Sequence, residues 1–354
     1  MPSTSKIPSL RFPHFTSLTI MRHRFYNHSH KLLILIAAFI VSMTAARAAL
    51  ETMSFEGKKY ITLRSIKSQY GFAKMTLSGS KIELRKSKIK MEFTNGSKVC
   101  YMNDLKFGLS SPVRYSGGRL LVSQTDVAKM IDPILKPSFI PNAKSFNTII
   151  IDPGHGGKDA GAVNRYGTEA GYNLKVARTL QAGLRAKGFK VVMTRESDVY
   201  LTLKQRVIVA NRYPNAIFIS IHFNASSRSA ARGIETFTLS PVGVAHYGRG
   251  LKSSDYTTLS GNHQDSANIA LATAIHGRIK ERIDGYKVPD RGIKRARFSV
   301  LSGINHPAIL IEGGFMSNPS EARLIENEKY QSTVATAVFE GIFRYRNALN
   351  SRGR

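Results

Sequence analysis

Four apolar runs, at residues 147–151, 190–193, 216–223 and 308–311, are separated by stretches long enough for helices, and this alternation constrains the fold more than any other feature. Runs this short and this apolar suit strands buried on both faces of a sheet. Between the first two, Leu174, Ala177, Leu180 and Leu184 recur at a spacing of three or four. That spacing predicts an amphipathic helix over 171–188, with Gly188 placed where a C-terminal cap belongs. Residues 203–211, 266–283 and 319–348 read as further helices. Strands alternating with helices of this length make 147–350 an α/β domain with a largely parallel central sheet flanked by helices.

The grammar upstream is different. Short alternating runs at 59–63, 81–84, 89–93 and 119–122 are punctuated by Gly79, Asn95-Gly96 and Gly117-Gly118, the pattern of strands joined by tight turns. Helices are predicted at 64–70 and 124–135, so 49–136 reads as a small accessory α+β domain. Its element order loosely resembles the copper amine oxidase N-terminal-like module, without implying copper, because no histidine lies between Ala49 and Pro153. Residues 137–146, PSFIPNAKSF, serve as a linker.

At the start of the chain, Leu32 to Ala45 form an apolar run of 14 residues preceded by Arg22, Arg24 and Lys31 and followed by Ala46-Arg47-Ala48. A charged flank, a run too short to span a bilayer comfortably and an A-x-A site predict a cleaved signal peptide over 1–48, with no stable membrane insertion afterwards. Met21, followed at once by basic residues, is a candidate start codon. Export to the periplasm, cell wall or exterior follows. Cys100 is the sole cysteine, which excludes an intramolecular disulfide and a thiolate metal cluster.

The formal net charge is +29, and the first 48 residues hold only six basic and no acidic side chains, so most of the excess lies in the mature chain. Charge of this sign favours anionic partners, including the polymers of a cell envelope. No zinc-finger spacing, RNP run or basic heptad region accompanies it, so nucleic acid is not expected as a partner.

Three polar residues stand at the carboxyl ends of three of the strands. The run IIIDPGHGG (residues 149–157) delivers His155 into a glycine-rich loop, the 217–221 run delivers His222, and the 308–311 run delivers Glu312 ahead of Gly313-Gly314. In open α/β sheets this edge is where ligands bind. Each residue alone has a plain structural explanation, and their coincidence at one edge makes a site. Glu169, at the start of the 171–188 helix, is either a carboxylate favoured by the helix dipole or a fourth member of that site.

The runs DPGHGGKDAGA (152–162), residues 180–211, FISIHFNAS (218–226), RGIKRARFSVL (291–301) and PAILIEGGFMSNPSEA (307–322) resemble, in order, the zinc amidases of the N-acetylmuramoyl-L-alanine amidase type 3 family. The resemblance implies one Zn²⁺ bound by His155, Glu169 and His222, with Glu312 as general base. It implies hydrolysis of the bond between N-acetylmuramic acid and L-alanine in peptidoglycan, with Asp159, Arg195, Ser220 and Asn224 as candidates to orient the ligands. Two imidazoles and a carboxylate are a recurrent donor set for catalytic zinc, which leaves a position for water. The competing reading is a non-catalytic peptidoglycan-binding protein of amidase-like fold, against which the intact four-residue set argues. An exported zinc aminopeptidase would need further ligands for a second metal. Residues 239–265, polar and without apolar period, read as an open loop with no blocking helix, and His246 and His263 within it as exposed.

Overall fold

The computed structural model describes residues 50–136, 140 and 145–350; the expected signal peptide and most of the 137–146 linker lie outside the described residues. The chain opens with β1 (Thr52–Phe55) and β2 (Lys58–Thr62), followed by helix α1 (Leu63–Tyr70). Thr62 caps α1 by accepting from the Ser65 amide at 3.2 Å, and Gly71, at φ +66°, ends it in the left-handed conformation that glycine adopts without penalty. An antiparallel meander follows: β3 (Lys74–Ser78), β4 (Lys81–Lys86), β5 (Ile89–Thr94), β6 (Val99–Met102) and β7 (Leu105–Gly108). Strands β8 (Arg114–Ser116) and β9 (Arg119–Ser123) return to β2, giving a four-stranded sheet of order β1-β2-β9-β8. The helix predicted at 124–135 forms as three successive turns, Gln124–Asp126, Val127–Ile131 and Asp132–Leu135, the middle one wound as a π-helix.

The α/β part begins with β10 (Thr148–Pro153), every residue of which is buried. A small ribbon of β11 (Val163–Asn164) and β12 (Gly167–Thr168) leads into α2 (Glu169–Arg185), which starts two residues before the predicted 171 and ends three before Gly188. The order continues with β13 (Lys190–Met193), α3 (Leu203–Asn211), β14 (Ala216–Asn224), β15 (Ile234–Leu239), α4 (Asp265–Ile283), β16 (Asp290–Ala296), β17 (Ala308–Phe315), α5 (Pro319–Glu326) and α6 (Glu328–Asn350). Strands β13, β10, β14 and β17 are mutually parallel; β15 pairs antiparallel to β17 and parallel to β16. The central sheet is therefore mixed and mostly parallel. One face packs against α2, α4 and α6 around Ile149, Ile219, Ile311 and Ile275, and the other holds a smaller core of Ile150, Phe218, Phe237 and Leu310. Helices α4 and α6 approach so closely that a Cβ on Gly341 would stand 2.5 Å from the Ile275 Cα.

The sheet continues past β16. Ile293 pairs with Phe107, so β7 adds in parallel and the meander joins the central sheet, giving eleven strands in the order β13-β10-β14-β17-β15-β16-β7-β6-β5-β4-β3. Across this seam the buried Arg295 guanidinium donates to Asp126 Oδ1 at 3.1 Å and to the Lys129 carbonyl at 3.2 Å. The residues at 239–265 contain two short 3₁₀ turns, Ser253–Tyr256 and Ser260–Gln264, anchored by the buried Asp255, which accepts two 2.7 Å bonds from Arg249.

Candidate metal centre

Beyond Pro153 the chain turns sharply: His155, Gly156 and Gly157 have φ of +59°, +128° and +57°. A histidine in the left-handed region costs about 1 kcal/mol or more and persists where its surroundings over-determine it. Two arginines supply that constraint. Arg195 donates to the carbonyls of Pro153 (3.0 Å), Gly154 (2.8 Å) and Ala170 (2.8 Å), and Arg206 donates to those of Pro153 (2.8 Å) and His155 (2.7 Å). Arg206, only 3% exposed, is neutralised by Asp152 at 2.8 Å, whose carboxylate also accepts from Thr194 Oγ1 at 2.6 Å and Ser220 Oγ at 2.8 Å. A buried pair satisfied this fully fixes geometry, and losing either partner would leave an uncompensated charge.

Strand β14 brings in His222, whose ladder partner on β17 is Glu312; on the other side of Glu312 stands Glu235 of β15. Residues paired in this way share a sheet face. The His222 ring lies directly over Gly154, where a Cβ would meet its Cε1 at 2.1 Å and Nε2 at 2.3 Å. Only glycine fits there. Gly154→Ala is therefore expected to displace the imidazole and weaken divalent-metal affinity about 10- to 100-fold in a competition titration against a chromophoric chelator, as loss of ligand support does elsewhere. Unchanged affinity would contradict this geometry.

Thr168 caps α2 by accepting from the Gly171 amide at 3.2 Å, and the first helical residue, Glu169, is thereby aimed at both histidines. Its Oε1 is 3.2 Å from His155 Nε2 and 2.9 Å from His222 Nδ1, while Oε2 accepts from the Ala162 amide at 3.0 Å. Burial pushes the Glu169 carboxyl up, but the hydrogen bonds to His155 and His222 outweigh it and hold the group well below the usual carboxylate range. The same bond with Glu169 raises the His155 imidazole. One donor atom from each of His155, Glu169 and His222 lies within 4.8 Å of the others. Glu312 stands apart from this contact set: its Oε2 is shut from solvent with no hydrogen-bond partner among the described residues. Burial, together with the negative charges of Glu169 and Glu235, raises the Glu312 carboxyl well above its ordinary value.

The structure thus gathers His155, Glu169 and His222 and sets Glu312 one strand away. Asp159 touches the cluster, its Oδ2 standing 2.9 Å from His155 Nδ1. Ser220 acts on the loop through Asp152, and Arg195 through backbone carbonyls. Asn224 reaches Glu235, the neighbour of Glu312, to whose Oε2 its side-chain amide donates at 3.3 Å. His263 is exposed, whereas His246 is partly buried and accepts from the Arg297 amide at 2.9 Å. Sequence reasoning missed Asp152, Arg206 and Glu235. Asp152 passes for a strand end, and Arg206 sits in a helix of weak amphipathicity that gives no hint it points inward.

Two imidazoles and one carboxylate converging from three elements form a donor set for one divalent metal ion, of the kind that metal-dependent hydrolases use. The family model described as N-acetylmuramoyl-L-alanine amidase matches residues 149–344, and the chain belongs to that family. It is 28% identical over 262 residues to the N-acetylmuramoyl-L-alanine amidase AmiA of Escherichia coli (strain K12), covering 68% of this chain and 90% of that protein. The germination-specific N-acetylmuramoyl-L-alanine amidase of Bacillus subtilis (strain 168) is 32% identical over 225 residues, covering 59% of this chain and 83% of that one. Among solved structures, the catalytic domain of CwlV from Bacillus (Paenibacillus) polymyxa var. colistinus is similar at a TM-score of 0.47 and 32% identity, covering 57% of this chain and 99% of that one.

Proposed function

We propose that the protein is an exported zinc enzyme that hydrolyses the amide between the lactyl group of N-acetylmuramic acid and L-alanine of peptidoglycan, releasing stem peptides. The observation that carries this reading is the convergence of His155, Glu169 and His222 beside Glu312, whose Oε2 is buried and unpartnered. Zn²⁺ held by those three residues would supply a Lewis acid for the carbonyl and bring the pKa of a water down toward neutrality. Glu312 takes the proton of the attacking water and returns it to the departing alanine nitrogen. A carboxyl raised above its ordinary range suits both transfers, because its proton affinity lies nearer the working pH. Asp159 holds the His155 ring through Nδ1, the Ala162 amide holds Glu169, and the Asp152–Arg206 pair keeps the loop from relaxing.

In this reading residues 1–48 are the cleaved export segment, 49–136 an accessory region and 147–350 the catalytic part. Among the described residues no helix is long and apolar enough to cross a membrane. The net charge of +29 would retain the enzyme on anionic envelope polymers. The metal is tested first. Purified protein is expected to hold one zinc per chain by elemental analysis, to lose muropeptide hydrolysis on dialysis against a chelator and to regain it with one equivalent of zinc. Full activity in the metal-free protein would remove the reading.

A further inference from the structure

The fold gathers part of the chain's positive charge at the seam between β16 and β7. There the surface opens into a groove of about 570 Å³, walled by β6–β7, β16 and the 244–250 loop. Six cations line it, Lys98, Lys106, Arg249, Arg291, Lys294 and Arg295, and no carboxylate does. The acids that balance them stand behind the wall: Arg291 and Lys294 share the buried Glu235, Arg295 holds Asp126, and Arg249 holds Asp255. Six cations against three carboxylates leave the groove positive.

The hydrogen-bonding groups left over there are donors. Arg291 uses only its Nε, on Glu235, with no other hydrogen bond of its guanidinium among the described residues, and its side chain is 35% exposed. Lys98 and Lys106 meet their neighbours through backbone groups: the Lys98 carbonyl accepts from the Leu109 amide at 2.8 Å, and the Lys106 amide donates to Asp290 Oδ2 at 3.4 Å. The other oxygen of Asp290 is held by His276. Neither ammonium has an ion-pair partner among the described residues, and Lys98 is exposed. His246 accepts the Arg297 amide on Nδ1, so its neutral ring carries the proton on Nε2, which has no partner among the described residues. Beside it Tyr247 is 50% exposed, and Gly248 and Gly250 face open space. Lys98 stands across from Leu109, three residues beyond Lys106, so about 10 Å of strand separates the two lysines. That spacing suits successive charges of a chain rather than one small anion, and forked guanidinium and ammonium donors together match phosphate oxygens.

We propose that this groove binds a phosphodiester-linked polyol or sugar polymer of the cell envelope, with successive phosphates on Lys98, Lys106 and Arg291 and the carbon spacer against Tyr247. The envelope as source rests on the amidase reading above; the chemistry of the groove does not. No residue of the metal centre lines it, so the site serves retention and not cleavage. Lys98 and Lys106 lie outside the residues matched by the family model, which gives the accessory region a part in holding the enzyme at the wall. Affinity falls with ionic strength, because exposed charge pairs are screened by salt.

The test is equilibrium binding of the full mature chain to a soluble glycerol phosphate polymer, with inorganic phosphate, poly-L-glutamate and single-stranded DNA as comparison probes. The double variant Lys98→Ala/Lys106→Ala is expected to raise Kd for the glycerol phosphate polymer about tenfold, as loss of charge-assisted bonds does. Its plot of log Kd against log salt should be shallower by about 1–2, the change expected for two lost phosphate contacts. Lys187→Ala/Lys204→Ala removes the same charge from exposed positions outside the groove and should leave Kd nearly unchanged. Lys98→Arg/Lys106→Arg should restore the wild-type value, and all three variants should hydrolyse soluble muropeptides at the wild-type rate. An equal loss in both alanine pairs would show that net charge alone binds the polymer and overturn the groove. Inorganic phosphate bound as tightly as the polymer would overturn the polymeric ligand, and tighter, lysine-dependent binding of polyglutamate or DNA would overturn its chemistry. Polymer binding by a wild type that does not hydrolyse muropeptides would remove the amidase reading and the envelope as source, whereas hydrolysis without lysine-dependent binding would overturn the groove alone.

Discussion

Glu312→Gln should lower muropeptide turnover about a thousandfold, within the range that general acid–base catalysis supplies, while zinc content stays at one per chain. The separation follows from geometry. Glu312 is the ladder partner of His222 but stands outside the contact set of His155, Glu169 and His222, so in the proposed role its loss would remove a proton carrier and leave the three metal donors in place. Glutamine keeps the shape and discards the charge. Because Glu312 Oε2 has no hydrogen-bond partner to lose and sits near the negative charges of Glu169 and Glu235, the variant should be at least as stable as the wild type. Loss of activity with retained metal and undiminished thermal stability marks a catalytic role. A variant that loses zinc, or unfolds, would instead place Glu312 among the structural or ligand groups.

The second large effect concerns the seam. Removing residues up to 136 deletes β7 from the edge of β16 and takes away Asp126, the partner of the buried Arg295. Breaking a buried pair by removing one partner costs about 3–5 kcal/mol, before any loss of apolar packing of the 127–135 turns against α4. A domain holds about 5–15 kcal/mol in total, so the truncated chain is expected to be poorly soluble and without a cooperative melt. Asp126→Ala tests the same contact more gently: urea unfolding should show a loss of about 3 kcal/mol, with activity per folded molecule retained. A 145–350 fragment that melts like the full chain would show that the seam contributes nothing.

How far these features could be read in advance depended on the range of the forces that make them. The strands β10, β14 and β17 are legible because burial on both faces turns a parallel strand into an unbroken apolar run; His155 stands just past β10 as expected, whereas β14 and β17 run on beyond His222 and Glu312, which lie inside their carboxyl-terminal halves. Glu169 was placed correctly at the head of α2, although the sequence left open whether the helix dipole or a ligand role explains it. Strand β16 gave no such signal. It reads DRGIKRA, and Lys294 and Arg295 can be buried in it because Glu235 and Asp126, far away in the chain, neutralise them. Pairing between Phe107 and Ile293 has no local signature either, so nothing in the sequence of 49–136 shows that its meander joins the central sheet. Arg206 and Asp152 were missed for the same reason: their meaning lies in each other.

The bond cleaved can be identified by digesting purified peptidoglycan with the mature chain and weighing the soluble products. The amidase reading requires free stem peptides bearing an N-terminal L-alanine, a glycan that keeps its lactyl carboxylates, and loss of both products on chelation or in Glu312→Gln. Release of disaccharide–peptides with that amide intact, or firm binding to the wall with no release at all, would contradict it.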